Sequence, residues 1–288
     1  MAKRTRLAAS LLWLLFAVAL FSGCQGLTAR QGRPDYDLEF RSPLAPVKGE
    51  IRSPHDVRDV LAKRARAIRG LRARAEIFIG RGGRRSPRQR FDALAYVDPP
   101  DFLRVRASQS GAGVFDLLVK DGFATAVIIP EKMVVTGPLA ELERAPEILG
   151  GMAPTQVFDA VDVEALLLRR LESDPAEFYP ARDRLHFWFR NERQMREQEF
   201  VVRRRDLLVE RLTMWQGRRK MGEIRFWAYE QVADGNSVVP VEFAIENAKG
   251  GAFLVRLSEV RLDQPRSPEL ATIEIPEGFA KQSLKAAH

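Results

Sequence analysis

The sequence predicts an α+β protein that is mainly β, with one antiparallel sheet of about 11 strands, an N-terminal helix and a helical insert in mid-chain. Three observations predict this fold class. Apolar and polar residues alternate with the two-residue period of strands over most of the chain after residue 71. Short turns separate these stretches, which favours antiparallel pairing. Residues 55–71 and 138–172 instead repeat apolar residues at helical spacing.

The first 24 residues form a separate unit. Three basic residues within the first six precede an uncharged apolar stretch, residues 7–21. Its length of about 15 residues is typical of a signal-peptide core, whereas a membrane-spanning helix needs roughly 20. Two small residues and Cys24, the only cysteine of the chain, follow. Residues 20–24 (LFSGC) resemble the lipobox of bacterial lipoproteins. The resemblance implies cleavage before Cys24, with a diacylglycerol and an acyl chain attached covalently to that residue.

The predicted destination is the cell outer membrane, with the protein lipid-anchored and facing the periplasm. Gln25 follows the cysteine, where an aspartate would favour retention in the inner membrane under enterobacteria-like sorting. An uncleaved anchor and a secretory signal with a chance cysteine are the alternatives.

Charge and length limit the possible partners. The first 23 residues hold three of the 46 Lys and Arg and none of the 38 Asp and Glu, so residues 24–288 carry a net charge of +5. That excess suits anionic head groups and is too small to indicate nucleic acid, which export also excludes. The remaining length suits a single domain with a real core.

Residues 24–53 are predicted to be a lipidated, flexible tether, and residues 54–285 the folded domain. Prolines recur in the tether among Gly, Arg and Ser, and apolar periodicity is weak. The domain begins with a helix over residues 55–71, for which Ser53-Pro54 is the predicted start and Gly70 the predicted stop.

Two groups of strands follow, and the helical insert separates them. In the insert, residues 138–172, we expect two short helices split by Gly150-Gly151. The first group is predicted at residues 74–80, 89–97, 102–107, 114–120, 123–129 and 132–136; the second is predicted at residues 184–190, 198–204, 208–215, 222–229, 239–245 and 252–262.

Motifs for catalysis are missing from the sequence. The three histidines, His55, His186 and His288, share no metal-ligand spacing, and neither a G-x-S-x-G nor an H-E-x-x-H motif is present. Acidic pairs in the insert, such as Asp159 with Asp162, are interpreted as solvated faces or helix caps. We therefore predict a protein that is not an enzyme and holds no metal or cofactor.

The order of elements resembles the carrier and receptor family of the Lol pathway (LolA/LolB-like). The resembling stretches are residues 68–79 (IRGLRARAEIFI), the strand, proline turn and strand of residues 89–107, and the hairpin of residues 114–137 with its Asp-Gly turn. The resemblance implies an incomplete antiparallel β-barrel with a helical lid. It also implies a monomer that binds acyl chains of lipoproteins or other lipids, accepts them from a periplasmic carrier protein, and takes part in lipoprotein localisation to the outer membrane.

Alternation along the strands predicts which residues line a lipid-binding cavity, because side chains on one face of a strand share one environment. The predicted strand residues are Ile77, Ile79, Phe91, Phe115, Leu117, Phe187, Phe189, Phe226, Phe243 and Phe253, with Leu166 and Leu167 on the lid side. Two other functions stay open: an envelope stress sensor of the same fold, and a non-catalytic scaffold of an envelope assembly with a filled core.

Overall fold

The protein is a single curved sheet with helices on its concave side. The computed structural model describes residues 39–81, 89–149, 153–191, 196–232, 237–248 and 251–284. The strands before the insert are β1 (Leu71–Arg81), β2 (Gln89–Asp98), β3 (Phe102–Gln109), β4 (Ala112–Lys120), β5 (Phe123–Ile128) and β6 (Met133–Pro138). Those after it are β7 (Ala176–Pro180), β8 (Arg184–Asn191), β9 (Arg196–Arg203), β10 (Val209–Gln216), β11 (Arg219–Gln231), β12 (Val238–Asn247), β13 (Gly251–Arg261) and β14 (Ala280–Ser283).

The helices are fewer and shorter. Helix α1 is Pro54–Arg64, and the insert consists of α2 (Leu139–Arg144), a 3-10 turn (Pro146–Leu149), α3 (Pro154–Val161) and α4 (Val163–Ser173). Among the residues described, every helix is too short or too polar to cross a membrane.

The described strands form one open sheet. Their order is β14-β6-β5-β4-β3-β2-β1-β13-β12-β11-β10-β9-β8-β7. All neighbours pair antiparallel except β14, which runs parallel to β6. The first and last long strands, β1 and β13, pair in the middle and join two arms. The predicted incomplete antiparallel barrel with helices is confirmed. The sheet has 14 strands, and the short edge strands β7 and β14 are ones that the alternation pattern did not reveal.

The long strands turn one face to the concave apolar cluster and carry ion pairs on the other. On β12, Phe243 and Ile245 belong to the main apolar cluster of the concave side. Glu242, the residue before Phe243, lies on the opposite, outer side, where Arg256 donates to it at 2.7 Å. Similar outer pairs join Glu199 to Arg211. These ion pairs of the outer face fix the register, because a shift of one residue would move carboxylates into the core.

Part of the predicted tether is docked on the domain. Arg41 pairs with the free side of β11 through two backbone hydrogen bonds, from its N–H to the Trp227 carbonyl (2.7 Å) and from the Tyr229 N–H to its own carbonyl (3.2 Å). Phe40 packs on Tyr229 with ring centroids 5.9 Å apart. Ile51 is buried in the main cluster. Residues 39–53 therefore belong to the folded domain, because their apolar side chains find a surface that the composition of the segment alone did not suggest.

Helix α1 ends earlier than the periodicity indicates. Ser53 and Asp56 form a capping box at its start, but it ends at Arg64 rather than at Gly70. The Arg64 guanidinium binds Glu164 of α4 at 2.6 Å and donates to the carbonyls of Asp206 (2.7 Å) and Leu207 (2.9 Å) in the β9–β10 turn. Because the helix ends at Arg64, this one buried side chain connects α1, α4 and the β9–β10 turn.

The chain after β13 covers the outer face of the first arm. Leu270 and Ile273 pack against Tyr96 and Phe102, which form a second small core with Leu118. The chain then reaches the edge of the sheet and adds β14 to β6. The sequence predicts only a tail ending near residue 279, because its apolar residues are too widely spaced to show a period.

Several predictions fall on other parts of the chain. The signal peptide, Cys24 and residues 25–38 of the tether lie outside the described residues, as does Gly150-Gly151.

The docked segment makes a stability prediction. A chain that starts at Arg52 retains the Ser53 cap but loses the contacts of residues 39–51. Relative to a chain that starts at Glu39, its free energy of unfolding should fall by about 3–5 kcal/mol, since Ile51 and parts of Phe40, Leu44 and Val47 leave their apolar contacts. Urea unfolding measures the difference. Equal midpoints would mean that the segment does not stabilise the domain.

The close packing of Gly70 gives a second stability prediction. Gly70 and Gly122 both have positive φ, 52° and 75°. Only at Gly70 would an added Cβ meet another backbone, the Gln264 carbonyl oxygen at 2.2 Å. Gly122→Ala should therefore cost about 1 kcal/mol from strain, and Gly70→Ala about 2 kcal/mol more because backbone must shift. Urea unfolding of the two variants tests this. Similar losses would contradict the close packing of Gly70 on Gln264.

Candidate functional site

The concave face holds all of the predicted cavity residues. The twelve side chains belong to one apolar cluster or pack against it. The pairing explains why they meet: Ile77 faces Phe91 across β1 and β2, and Phe226 faces Phe243 across β11 and β12. The face chosen from alternation is therefore one continuous apolar surface; that it binds lipid stays a prediction.

Most of this surface is filled by its own side chains. Phe187 and Phe226 are 0% and 2% exposed, and Phe91, Leu117, Leu167, Phe189, Phe243 and Phe253 are also buried. Phe189 meets Phe200 edge to face with centroids 5.7 Å apart. Phe200 and Phe158, which the sequence prediction omitted, complete this packing; the alternation of β9 was a signal for Phe200. A charge placed at Phe187 or Phe226 would test folding rather than ligand binding.

The remaining four residues are only partly buried. Ile77 and Ile79 on β1, Phe115 on β4 and Leu166 on α4 pack against the cluster but keep some exposure. A ligand can reach the apolar surface at such positions without displacing a buried ring.

A cavity of about 720 Å³ lies between the insert and the strands β8 to β11. This volume is typical of small-molecule sites, which span roughly 300–1,000 Å³. Phe189 and Met214 provide the apolar wall, and both pack in or on the main cluster. Trp215 and Met221 add apolar surface on the strand side. The cavity is therefore continuous with the concave cluster, and Phe189 is the one predicted residue that lines it.

The insert provides a polar wall. Arg170 of α4 donates to Asp174 at 2.8 Å and to Gln198 of β9 at 2.9 Å, which ties α4 to the sheet. Glu143 of α2 accepts a hydrogen bond from the backbone N–H of Thr155 at 3.1 Å, which holds the start of α3. An amphipathic ligand would therefore meet an apolar surface on one side and charged groups on the other.

Asp159 of α3 is the unusual group of this wall. It lines the cavity, is partly buried, and makes no hydrogen bond or ion pair with any residue that the structure describes. Burial raises its pKa from the ordinary 3.8 to about 6, and the charge of Glu143 raises it further, against smaller opposite effects of Arg169 and Arg170. Both arginines are already paired, Arg169 with Asp162 at 2.9 Å.

The sequence interpretation of these acids as solvated faces or caps holds only in part: Asp162 stands at the cap position between α3 and α4, but its side chain makes no cap hydrogen bond. Asp162 is buried rather than solvated, and it accepts the Ile68 N–H at 3.0 Å as well as the Arg169 guanidinium. Asp159 is neither an exposed side chain nor a cap. Its role depends on the distant strands that close the cavity, and no local pattern carries that information.

Comparison with solved structures identifies the fold. A LolA superfamily protein from Nitrosomonas europaea matches 77% of this chain and 99% of its own, at 8% sequence identity and a TM-score of 0.51. A domain described as an outer membrane lipoprotein-sorting protein, from Vibrio parahaemolyticus, matches 75% of this chain and 94% of its own, at 10% identity and a TM-score of 0.49. No family model and no curated protein sequence matches the chain. The protein has a LolA-like fold, as the first structure shows.

The pKa of Asp159 gives a prediction with a definite sign. A carboxyl that ionises near pH 6 when folded and near 3.8 when unfolded makes the unfolded state release its proton first. The free energy of unfolding should therefore fall as pH rises from 4 through 6. Asp159→Asn cannot lose this energy, so we expect it to be about 1–3 kcal/mol more stable than the parent at pH 7.5 and equally stable at pH 4.

Urea unfolding at the two pH values provides the measurement. Glu172→Gln, an exposed change on the neighbouring α4, is the matched control and should show no difference that depends on pH. If Asp159→Asn is no more stable than the parent at pH 7.5, its carboxylate is not penalised by burial.

Proposed function

We propose that this protein is a lipid-anchored envelope protein that binds acyl chains of lipoproteins or lipids on the concave side of its sheet, without catalysing a reaction. One observation carries the proposal: the cavity of about 720 Å³ opens onto the apolar cluster through Phe189 and Met214. Acyl chains gain about 0.8 kcal/mol for each methylene group that leaves water, so a short apolar wall already gives measurable affinity.

The finer parts of the proposal rest on the sequence. The lipobox-like residues 20–24 support an anchor on Cys24, and Gln25 supports the outer membrane. The LolA-like fold suggests binding or sorting of lipoproteins or lipids at family level. Localisation of lipoproteins to the outer membrane, with cargo received from a periplasmic carrier, is the finer part of the proposal and rests on the resemblance of the sequence.

A scaffold with a filled core is the second candidate. The near-complete burial of Phe187, Phe226 and Phe243 favours it, because these rings occupy the space that a bound chain takes in an open barrel. The two candidates differ in whether the cavity at Met214 is used.

Titration with a fluorescent acyl probe separates the two candidates. A chain that starts at Glu39 should bind the probe saturably, and a lipopeptide should displace it. Met214→Lys should weaken binding at least about tenfold, because an ammonium replaces apolar surface of the cavity wall. Leu94→Lys introduces the same charge on β2 at a position that is 51% exposed and outside the cavity; it is the control and should change affinity less than about twofold.

Folding of each variant is checked by urea unfolding. Saturable binding that Met214→Lys removes supports the carrier. No binding by the folded parent chain overturns it in favour of the scaffold.

A further inference from the structure

The docked segment that precedes helix α1 has a direction relative to the cavity. Arg41 lies beside Ala228 of β11, and the two stretches run parallel. Strand β11 begins at the end of the sheet where Met221 lines the cavity, and it continues away from that end. Because the docked segment runs the same way, its first described residue, Glu39, lies nearer to the cavity along β11 than Arg41 does.

The lengths of strand and chain bring Cys24 within reach of the cavity. Ala228 follows Met221 by seven residues, which is about 23 Å along a strand. Fifteen residues lead from Cys24 to Glu39. For the flexible tether that the sequence predicts, a chain of this length has a root-mean-square span of about 21 Å. A tethered ligand is most concentrated at its site when these two lengths are similar.

The cavity offers an acyl chain an apolar wall, formed by Phe189 and Met214 beside the buried rings of the main cluster. A short flexible link holds an attached ligand at an effective concentration in the millimolar range, which cargo in solution does not reach. In the absence of a membrane, an acyl chain on Cys24 is therefore the strongest competitor for this wall. A bilayer holds an anchor of two or more acyl chains stably, so insertion into a membrane withdraws that competitor.

We propose that the cavity holds an acyl chain of the protein's own Cys24 while the anchor is outside a membrane, and that insertion of the anchor frees the cavity for cargo. The inference rests on the proposed acyl-chain binding and lipidation, and it adds regulation of the same site. A molecule that has not reached its membrane takes up cargo weakly, because the tethered chain has to be displaced first.

Photochemical cross-linking of the full, lipidated chain tests the proposal. Gln216 lines the cavity and is exposed, so Gln216→p-benzoylphenylalanine places a photoreactive group there with little disturbance. Leu94→p-benzoylphenylalanine is the control, because Leu94 is 51% exposed and outside the cavity. The intact mass establishes whether Cys24 carries lipid, and urea unfolding establishes that both variants fold like the parent.

Each variant is irradiated in two environments, a non-ionic detergent below the concentration at which micelles form and vesicles of phosphatidylethanolamine and phosphatidylglycerol. We expect an adduct between residue 216 and the lipidated N-terminal peptide in the detergent, and at least about a tenfold lower yield in the vesicles. Mixing chains labelled with ¹⁵N and unlabelled chains shows whether the acyl chain and the photoreactive group belong to one molecule.

A change of tether length tests reach separately from sequence. Removal of residues 27–36 leaves five residues from Cys24 to Glu39, which span at most about 18 Å. The yield of the adduct should fall at least about tenfold. Replacement of residues 27–36 by the same number of Gly and Ser residues is the matched control and should retain the yield within about twofold. Neither change alters a described residue.

The outcomes separate this inference from the proposed function. An adduct within one molecule that disappears in vesicles and with the short tether supports the inference. Adducts between two molecules, an adduct that persists in vesicles or with the short tether, or a Cys24 without lipid overturn it. Adducts with detergent or phospholipid alone, or no adduct in a chain that binds the acyl probe, overturn it and leave acyl-chain binding intact. A folded chain that does not bind the probe overturns the proposed function itself.

Discussion

The arrangement of the helices depends on the buried ion pair between Arg64 and Glu164. Both side chains are largely removed from water, and burial raises the pKa of Glu164, against the opposing effect of Arg64. Such a pair is expensive to bury, so its other hydrogen bonds matter: the carbonyls of Asp206 and Leu207 accept two further guanidinium N–H groups. Helix α1, helix α4 and the β9–β10 turn are thereby fixed to one another. The α2 and α3 part of the insert lies away from this junction and borders the cavity.

Apolar surface that stays uncovered conflicts with stability. In this protein the concave face is divided between a filled part and an open part. The phenylalanine rings of β8, β11 and β12 fill the interior of the second arm. Open space remains where the insert meets the ends of β8 to β11, and there the wall contains a carboxylate, Asp159, without a partner among the residues that the structure describes. Unpaired charges and uncovered apolar residues both lower stability, and such features are expected at sites that have a function.

The sequence predicted the elements in which apolar residues repeat with the period of a strand or a helix. Strands with a clear alternation, such as β2 and β8, were predicted together with the face that they bury. Features that depend on distant partners were not predictable. Residues 39–53 have the composition of a linker, and only the folded sheet shows that Arg41 pairs with β11. Strand β14 has four residues, which are too few to show an alternation. In the same way, Asp159 lines a cavity only because strands β8 to β11, much later in the chain, close the space around it.

The pairing of β1 with β13 has a consequence for the order of folding. Ile77 lies beside Val255, about 180 residues later in the chain, so the seam between the arms closes a very long loop. The hairpins of each arm are local and can form early. The pairing of β1 with β13 cannot form until β13 is in place, and until then β1 of the first arm has an unpaired edge. Folding should therefore be slow at its last step, and the half-formed protein should be the species most prone to aggregate.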